Sequence, residues 1–303
     1  MTVREALAAA ERRLGAAGCE TAWLDARVLL SHATGWSETR IVAEGRDSLS
    51  PEAEAAFEEA LGRRERREPV AYVTGRKEFR SLDFAVDARV LVPRPETELL
   101  VESALELLRK RAAERDRDLV VVDVGTGSGA IAVSIAHALA EAKLRASVRL
   151  VALDRSGEAL TVAVENARRL LAPPRSVRFL RSDLTSALRG ASVDLVAANP
   201  PYVAPAELAT APPELAYEPR LALDGRGVDG LAVVEHLLAD SRRVLRPGGR
   251  ILCEIGSTQG ETALRRAESS GFESAKLLRD LSGVARVLVA EVPGASGEEV
   301  RRP

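Results

Sequence analysis

The stretch Val120-Val121-Val122-Asp123-Val124-Gly125-Thr126-Gly127-Ser128-Gly129 joins an apolar run to a loop with glycine at every second position. A short apolar run of this kind predicts a buried strand, and the glycines predict a tight turn into a following helix. Free N–H groups at that helix N-terminus would face whatever ligand the loop binds. The stretch therefore predicts the first strand and the ligand loop of an α/β fold.

The loop alone is compatible with NAD, a nucleotide or S-adenosylmethionine, so its neighbours decide between these ligands. Asp123 would repel a pyrophosphate, whereas it suits a ligand that carries an ammonium group and no phosphate. The lysine found in the phosphate-binding loop of nucleotide hydrolases is absent here. We therefore expect S-adenosylmethionine as the cofactor, bound by the loop residues Asp123, Gly125, Thr126, Gly127, Ser128 and Gly129.

Two further aspartates follow predicted strands. Asp154 comes after the apolar residues 150–153, about where a carboxylate binds ribose hydroxyls in such folds. A capping role at the helix that begins near Gly157 is compatible with this interpretation. Asp183 follows residues 179–182 and is placed to accept a hydrogen bond from an adenine amino group, with Leu184 covering the ring. We predict that Asp154, Asp183 and Leu184 contribute to cofactor binding.

The tetrapeptide Asn199-Pro200-Pro201-Tyr202 follows the apolar run 193–198 and predicts a strand that ends in a rigid polar turn. The prolines fix φ and lack N–H groups, and they push Asn199 towards an extended conformation. The carbonyls of Asn199 and Pro200 and the Asn199 side-chain oxygen can then face one small volume. A planar NH2 group fits that volume, and Tyr202 offers a flat surface for stacking. We therefore predict a reaction at an amide or aromatic amine nitrogen, with Asn199, Pro200 and Tyr202 as catalytic residues.

From residue 119 onward, predicted strands and helices alternate, which is typical of a doubly wound, mostly parallel sheet. We expect strands near 119–124, 148–154, 177–182, 193–198 and 250–255, and helices near 129–142, 157–171, 230–244 and 258–270. Residues 274–278 and 285–291 read as two further strands, which predicts an antiparallel edge. If the first and fourth strands flank the point where strand order reverses, the glycine loop and Asn199 face one crevice, so Asn199 is also expected beside the cofactor.

The first part of the chain has a different periodicity. Residues 1–68 predict only helices, which indicates a recognition or packing module. Residues 71–75 and 82–87 alternate like strands, and we interpret 69–94 as a β-hairpin linker. A methyltransferase domain is then expected over 95–293, followed by a frayed tail at 294–303.

Composition excludes several classes of protein. The net charge of −2 and an aromatic content of 3% argue against direct nucleic-acid binding, which favours basic patches and stacking platforms. Two separate cysteines and three scattered histidines give no metal-ligand spacing, so no metal is expected. No signal peptide or membrane-spanning run is found in the sequence, and we expect a cytoplasmic monomer.

The sequence resembles the HemK/PrmC-type protein-(glutamine-N5) methyltransferases, which modify peptide chain release factors. The resemblance covers most of the chain and rests on motifs at 71–75, 78–79, 91–98, 123–129, 199–202 and 218–220. The combination of Pro93-Arg94-Pro95, the glycine loop and the tetrapeptide at Asn199 is specific. Two departures are mild: Leu184 stands where an aromatic residue is common, and Glu96 stands where aspartate is frequent.

The resemblance implies a Rossmann-like catalytic domain behind a hairpin linker and a helical domain that engages the release factor. It also implies that the acceptor is the glutamine of the Gly-Gly-Gln loop of that partner. Arg94, held between two prolines, joins Asn199, Pro200, Pro201 and Tyr202 as an expected substrate-binding residue.

Four alternatives remain open at this point. The nearest is a glutamine methyltransferase that acts on a ribosomal protein. An adenine-N6 nucleic-acid methyltransferase would use the same acceptor turn but should bring a basic recognition domain. An NAD-dependent dehydrogenase and a catalytically silent binding module are less compatible with Asp123 and the tetrapeptide.

Overall fold

The computed structural model describes residues 1–114, 117–140, 147–172 and 177–294. The described chain divides into two compact units. The first comprises Met1–Arg76, Val86–Ala88 and Pro212–Glu218, and the second comprises Lys77–Ala85, Arg89–Ala211 and the chain from Pro219 onward.

The first unit is a helical bundle, as the sequence predicts. Its helices are α1 (Val3–Ala16), α2 (Ala22–Thr34), α3 (Glu38–Ala43), α4 (Pro51–Glu65) and α5 (Val70–Thr74). Hydroxyl side chains cap three of these helices: Thr2 forms a capping box with Glu5, and Ser37 and Ser50 cap α3 and α4. Such caps satisfy N–H groups that have no partner within the helix. The apolar faces meet in a core that includes Leu14, Leu29, Leu30, Phe57 and Leu61.

Arginine and carboxylate pairs add a polar layer to this unit. Arg64 is 6% exposed, and its guanidinium contacts Asp25 at 2.8 Å and Glu214 at 2.9 Å. Arg67 also donates to Glu214, with Nε and Oε1 separated by 2.7 Å. These ion pairs hold the segment Pro212–Glu218 within the first unit.

The strand that the sequence predicts at 71–75 is wrong, because Val70–Thr74 forms α5. Pro69 precedes this helix in an extended conformation, and Gly75 ends it with a φ of 72°. The hairpin instead consists of β1 (Arg76–Phe79) and β2 (Leu82–Ala85), so the residues expected in its turn form its first strand. The turn lies at Arg80 and Ser81, both with positive φ, and Phe79 and Phe84 meet edge to face behind it.

The second unit contains the predicted sheet. Its strands are β3 (Leu119–Val124), β4 (Val148–Asp154), β5 (Arg178–Arg181), β6 (Val193–Ala198), β7 (Leu245–Glu254), β8 (Ser274–Arg279) and β9 (Ala285–Glu291). Within the described residues the strand order is β5-β4-β3-β6-β7-β9-β8. The pairs from β5 to β7 are parallel, and β9 pairs antiparallel with both β7 and β8. The mostly parallel sheet with an antiparallel edge is therefore confirmed.

Helices pack on this sheet and cover its apolar strands. They are α6 (Thr97–Glu114), α7 (Ala130–Ala140), α8 (Gly157–Leu170), α11 (Ala232–Val244) and α12 (Gly260–Ser269), while the short α9 (Pro205–Leu208), a 3-10 helix (Pro213–Tyr217) and α10 (Arg220–Leu223) follow β6 along the chain. The core between sheet and helices includes Val122, Val196, Leu237, Ile251 and Leu288. Strand order reverses between β3 and β6, as the sequence predicts, so a crevice opens at their carboxyl ends.

Two further expectations meet the limits of the described chain. The predicted tail at 294–303 falls outside the described residues except for Gly294, and so do residues 141 and 142 of the expected helix 129–142. Among the described helices, none combines the length and apolarity that crossing a membrane requires.

Candidate active site

The glycine loop and the tetrapeptide Asn199-Pro200-Pro201-Tyr202, the predicted acceptor motif, follow two neighbouring strands of the sheet. Strands β3 and β6 pair in parallel, with Val124 opposite Ala198, so Gly125 and Asn199 follow at the same edge. A Cβ atom built on Gly125 would lie 4.0 Å from the carbonyl oxygen of Asn199. The structure therefore brings the two predicted motifs together at the crevice.

Asp123 is fully buried beneath the glycine loop. Its Oδ2 accepts hydrogen bonds from Thr126 Oγ1 at 2.6 Å and from the N–H of Ala132 at 3.1 Å. Its Oδ1 has no hydrogen-bond partner among the described residues. Burial raises the pKa of this carboxyl to about 7, although the bonds from Thr126 and Ala132 oppose the shift. Since an unpartnered buried oxygen is costly, Oδ1 is the atom of this loop most in need of a donor from a ligand.

Asp154 ends β4 and binds the same loop. Its Oδ2 accepts from the N–H of Gly127 at 2.9 Å, and its Oδ1 accepts from the N–H of Ser156 at 2.8 Å. Burial raises the pKa of Asp154, and these backbone bonds lower it. Because each carboxylate oxygen can accept more than one hydrogen bond, Asp154 can hold the loop and still accept from a ligand hydroxyl.

The last residues of the loop are fixed by α7 and α8. The carbonyl of Ser128 accepts a hydrogen bond from Asn166 Nδ2 at 2.9 Å. A Cβ atom on Gly129 would lie 3.2 Å from Val133 and 3.3 Å from Ala163, so this position admits only a hydrogen atom without displacement. The conformation of the ligand loop is thus set by contacts with both helices.

Asp183 and Leu184 lie beyond β5 on the same edge of the sheet. Register pairs Asp154 with Arg181, and the N–H of Ser182 donates to the carbonyl of Asp154 at 2.9 Å. Asp183 is exposed, whereas Leu184 is half-buried and adopts a positive φ of 47°. Both residues thus follow β5, the strand that pairs with the end of β4, and their contribution to cofactor binding stays a prediction.

The acceptor motif is linked to a buried carboxylate that the sequence reasoning did not identify. Asn199 Nδ2 donates to Thr97 Oγ1 at 3.0 Å, and Thr97 Oγ1 donates to Glu254 Oε2 at 2.6 Å. The hydroxyl of Tyr202 donates to the other oxygen, Glu254 Oε1, at 3.2 Å. Both ends of the motif therefore connect to Glu254, which is 1% exposed.

Burial also shifts the ionisation of this cluster. It raises the pKa of Glu254 to about 7, against the hydrogen bonds from Thr97 and Tyr202. Burial and the nearby carboxylate of Glu254 raise the pKa of the Tyr202 phenol, while the positive charge of Arg94 lowers it. Arg94, expected to bind substrate, therefore acts electrostatically on the Tyr202 phenol.

The backbone after the tetrapeptide is packed against a glycine segment. A Cβ atom on Gly230 would lie 2.4 Å from the carbonyl oxygen of Tyr202, and one on Gly225 would lie 2.7 Å from its Cα. The same carbonyl accepts a hydrogen bond from Gln259 Nε2 at 2.8 Å. Main chain therefore packs directly on main chain here, which fixes the position of the motif.

One sequence signal could have identified Glu254. Register places Ala198 opposite Cys253 on the neighbouring strands β6 and β7, so Asn199 and Glu254 follow on adjacent strands. Glu254, like Asp154, is a carboxylate at the carboxyl end of a buried strand. For Thr97, which begins α6, only its place after the Pro93–Pro95 segment marks it.

Several known proteins are similar to this chain. A family model described as the PrmC N-terminal domain matches residues 5–75, and one described as the methyltransferase small domain matches residues 97–214. The release factor glutamine methyltransferase of Moorella thermoacetica is 43% identical over 96% of this chain and 98% of that protein. The protein of the same name from Cereibacter sphaeroides is 40% identical over 97% of this chain and 100% of that protein. Among solved structures, a methyltransferase from Pyrococcus furiosus has 18% identity and a TM-score of 0.49, covering 72% of this chain and 92% of that one.

Proposed function

The chain belongs to the family of release factor glutamine methyltransferases, and we propose that it methylates the side-chain amide nitrogen of the glutamine in the Gly-Gly-Gln loop of a release factor. The observation that carries this proposal is the shared edge of the glycine loop and Asn199 at the strand reversal. One motif suits a methyl donor and the other suits an NH2 acceptor, and a methyl transfer needs the two side by side.

The residues of the loop fit S-adenosylmethionine as the donor. Asp123 Oδ1, buried and without a partner among the described residues, is suited to accept from an ammonium group. Asp154 stands where ribose hydroxyls would lie, and Asp183 and Leu184 flank it for the adenine. When bound, the cofactor supplies a methyl group on a positively charged sulfur.

The acceptor residues are proposed to bind the glutamine amide through its two hydrogens. Asn199 Oδ1 and the carbonyl of Pro200 would accept them, and Pro201 stiffens the turn that presents them. Tyr202 would pack against the flat amide, with Arg94 nearby. A bound NH2 group keeps its nitrogen in one position relative to the donor.

An amide nitrogen is a poor nucleophile because its lone pair is delocalised into the carbonyl. Two acceptors fixed on the amide hydrogens would stabilise the positive charge that develops on nitrogen as the new N–C bond forms. The C–S bond of the donor would break in the same displacement, and its electron pair would stay on the sulfur of the departing neutral thioether. Holding the amide in one orientation also removes much of the entropic cost of bringing the nitrogen and the methyl group into the reactive geometry. No strong general base is needed, since the methylated nitrogen loses its proton readily once it carries charge.

We propose the division of labour that the sequence suggests. Residues 1–68 would recognise the release factor, residues 69–94 would link that domain to the catalytic domain, and residues 95–293 would catalyse the methyl transfer. A substrate of the translation machinery is met in the cytoplasm, which we propose as the location of this protein. We further propose that it acts as a monomer and does not bind nucleic acid directly, in keeping with its net charge of −2.

A ribosomal protein is the alternative substrate, and nucleic-acid adenine is a more distant one. Incubation of the protein with a labelled methyl donor and purified release factors, ribosomal proteins and DNA distinguishes all three. We expect label only in release factors, and mass mapping should place one methyl group on the glutamine of Gly-Gly-Gln. Label in a ribosomal protein or in DNA, with none in a release factor, would refute the proposal.

A further inference from the structure

The hydrogen bonds around Glu254 have a direction. An ionised carboxylate offers only acceptors, so each group that contacts it has to donate. Thr97 has a single hydroxyl hydrogen, and this hydrogen is used in the 2.6 Å bond to Glu254. The oxygen of Thr97 can therefore only accept from Asn199, which is consistent with the 3.0 Å contact to Nδ2.

This direction determines which end of the Asn199 side chain is left for the substrate. The two ends of a carboxamide are nearly equal in size, so packing alone does not distinguish them. Once the NH2 group is bound to Thr97, Oδ1 lies at the opposite end of the planar group. We propose that Thr97 and Glu254 are positioning residues that fix the Asn199 carboxamide with its oxygen towards the substrate.

The inference rests on the proposed function, because it assumes that the acceptor is an amide. In the fixed orientation, Oδ1 accepts a hydrogen from the NH2 group of glutamine. In the flipped orientation, two NH2 groups would face one another and the half-buried donor of Asn199 would lose its partner, which costs more than the bond itself contributes. The fixed orientation also selects glutamine over glutamate, whose carboxylate has no hydrogen to donate.

The charged groups around Glu254 come from several elements. Glu96, before α6, raises the pKa of Glu254, and Arg286, on β9, lowers it. Tyr202, which follows β6, donates its hydroxyl hydrogen to Glu254. Cys253, the residue before Glu254, has a buried thiol. Because burial raises the pKa of Glu254 to about 7, a protonated Glu254 can donate to Thr97 at lower pH. Thr97 is then free to donate to Asn199, and the orientation is no longer enforced.

The first test compares two substitutions of Thr97. Thr97→Val keeps the shape but removes the hydroxyl, whereas Thr97→Ser keeps the hydroxyl. We expect Thr97→Val to lower kcat by about 10- to 100-fold and Thr97→Ser to stay within about threefold of the wild type. Calorimetric binding of S-adenosylmethionine, expected within about threefold of wild type in both variants, shows that each has folded.

The second test reports on the orientation of the Asn199 carboxamide through binding alone, so it does not depend on methyl transfer. A purified release factor is compared with its variant that carries glutamate in place of the Gly-Gly-Gln glutamine. We expect the wild-type protein to bind the glutamine form at least about tenfold more tightly, and Thr97→Val to reduce this preference by at least about threefold. A loss of packing alone would weaken both complexes equally.

The third test is the pH profile of kcat at saturating donor and release factor. In the wild type, kcat should fall as pH drops through about 7, and Glu254→Gln should have a lower kcat without this limb. The inference would be overturned if Thr97→Val had the same kcat as the wild type and the same binding preference for the glutamine form over the glutamate form. It would also be overturned if Thr97→Ser lost as much kcat as Thr97→Val. A wild-type protein that methylates no release factor would instead refute the proposed function itself.

Discussion

Asp154 Oδ2 accepts a hydrogen bond from the backbone N–H of Gly127 across 2.9 Å. The end of β4 is thereby attached to the middle of the glycine loop, although 27 residues separate the two positions along the chain. The same carboxylate caps the backbone at Ser156 before α8. One side chain thus shapes the glycine loop from the neighbouring strand, and it is also the side chain that we propose to bind the ribose.

Replacement of Asp154 by asparagine should weaken donor binding rather than the reaction step. Loss of the charge-assisted bonds to the loop and ribose is expected to raise the Kd for S-adenosylmethionine by about 10- to 100-fold. Calorimetry measures Kd, and kcat at saturating donor should stay within about threefold. Asp118→Asn, at a half-buried aspartate just before β3 that pairs with Arg149 away from the loop, is the matched control and should bind normally. Unchanged affinity in Asp154→Asn would contradict the assignment.

The buried Asp123 predicts a pH-dependent response to the donor. Its pKa is about 7 in the folded protein and 3.8 without burial, so the folded state binds more protons between these values. Its contribution to stability is therefore present at low pH and is lost as pH rises through about 7. An ammonium group beside Oδ1 compensates that loss by pairing with the ionised form. The rise in Tm on adding S-adenosylmethionine should thus be larger at about pH 8 than at about pH 6.

Asp123→Asn is the control for this prediction. The amide of the variant does not ionise in this range. The rise in Tm on adding S-adenosylmethionine should therefore differ less between the two pH values, even if the donor still binds. The same pH difference in the variant and the wild type would exclude Asp123 as its source.

Asn199→Ala should separate binding of the donor from transfer of the methyl group. The variant loses one of the two proposed acceptors for the amide hydrogens, so kcat should fall by about 100-fold or more. Donor affinity, measured by calorimetry, should change by less than about threefold. Methyl transfer at the wild-type rate by Asn199→Ala would contradict the proposed role of the tetrapeptide.

Gly230→Ala should disturb the site through the backbone. Its φ of 72° and the 2.4 Å approach of a Cβ atom to the carbonyl oxygen of Tyr202 leave no room for a side chain. Gly283 has a similar φ of 79° with open space around it, so Gly283→Ala is a control for conformational strain alone. We expect Gly283→Ala to cost about 1 kcal/mol of unfolding free energy and Gly230→Ala at least about 2 kcal/mol more. Urea unfolding measures both, and equal losses would show that the close approach is unimportant.

Arg64→Leu tests the ion pairs of the helical unit. The substitution leaves Asp25, which is 6% exposed, without its guanidinium partner. We expect a loss of about 3–5 kcal/mol in urea unfolding, since breaking a buried pair leaves an uncompensated charge. Arg40→Leu removes an exposed pair with Glu44 and should cost less than about 1 kcal/mol. A small loss in Arg64→Leu would indicate that Asp25 rehydrates or is adequately held by the hydroxyl of Thr21, which donates to Asp25 Oδ1 at 2.8 Å.

The pattern of apolar residues within single segments was sufficient to predict β3 and β6, the strands that precede the glycine loop and the tetrapeptide at Asn199. The run 193–198 is apolar at all but one position, and the structure buries every residue of β6. Residues 71–75 were misjudged because Val, Tyr and Thr favour strands, while Pro69 and the left-handed Gly75 favour one turn of helix that ends there. The short helices after Tyr202 were not predicted, because a proline-rich segment has no hydrophobic periodicity.

The link between Thr97 and Glu254 shows what local pattern cannot predict. The two residues are 157 positions apart. Glu254 is marked as a carboxylate at the end of a buried strand, but nothing in either segment pairs it with Thr97. Their contact depends on α6 beginning beside the end of β7, which requires the strand order and register of the whole sheet. The motifs proposed to face a ligand could thus be recognised in the sequence, whereas the contacts that join Asn199, Thr97 and Glu254 required the tertiary structure.

The helical unit is encoded in separate pieces of the sequence, since Pro212–Glu218 belongs to it while the segments on either side do not. A fragment that stops at residue 76 would lack Glu214, the carboxylate shared by Arg64 and Arg67. This unit of the protein is therefore not a cassette that can be excised and grafted onto another enzyme. A working graft would have to supply the short piece around Glu214 as well, either as an added peptide or through a redesigned connection.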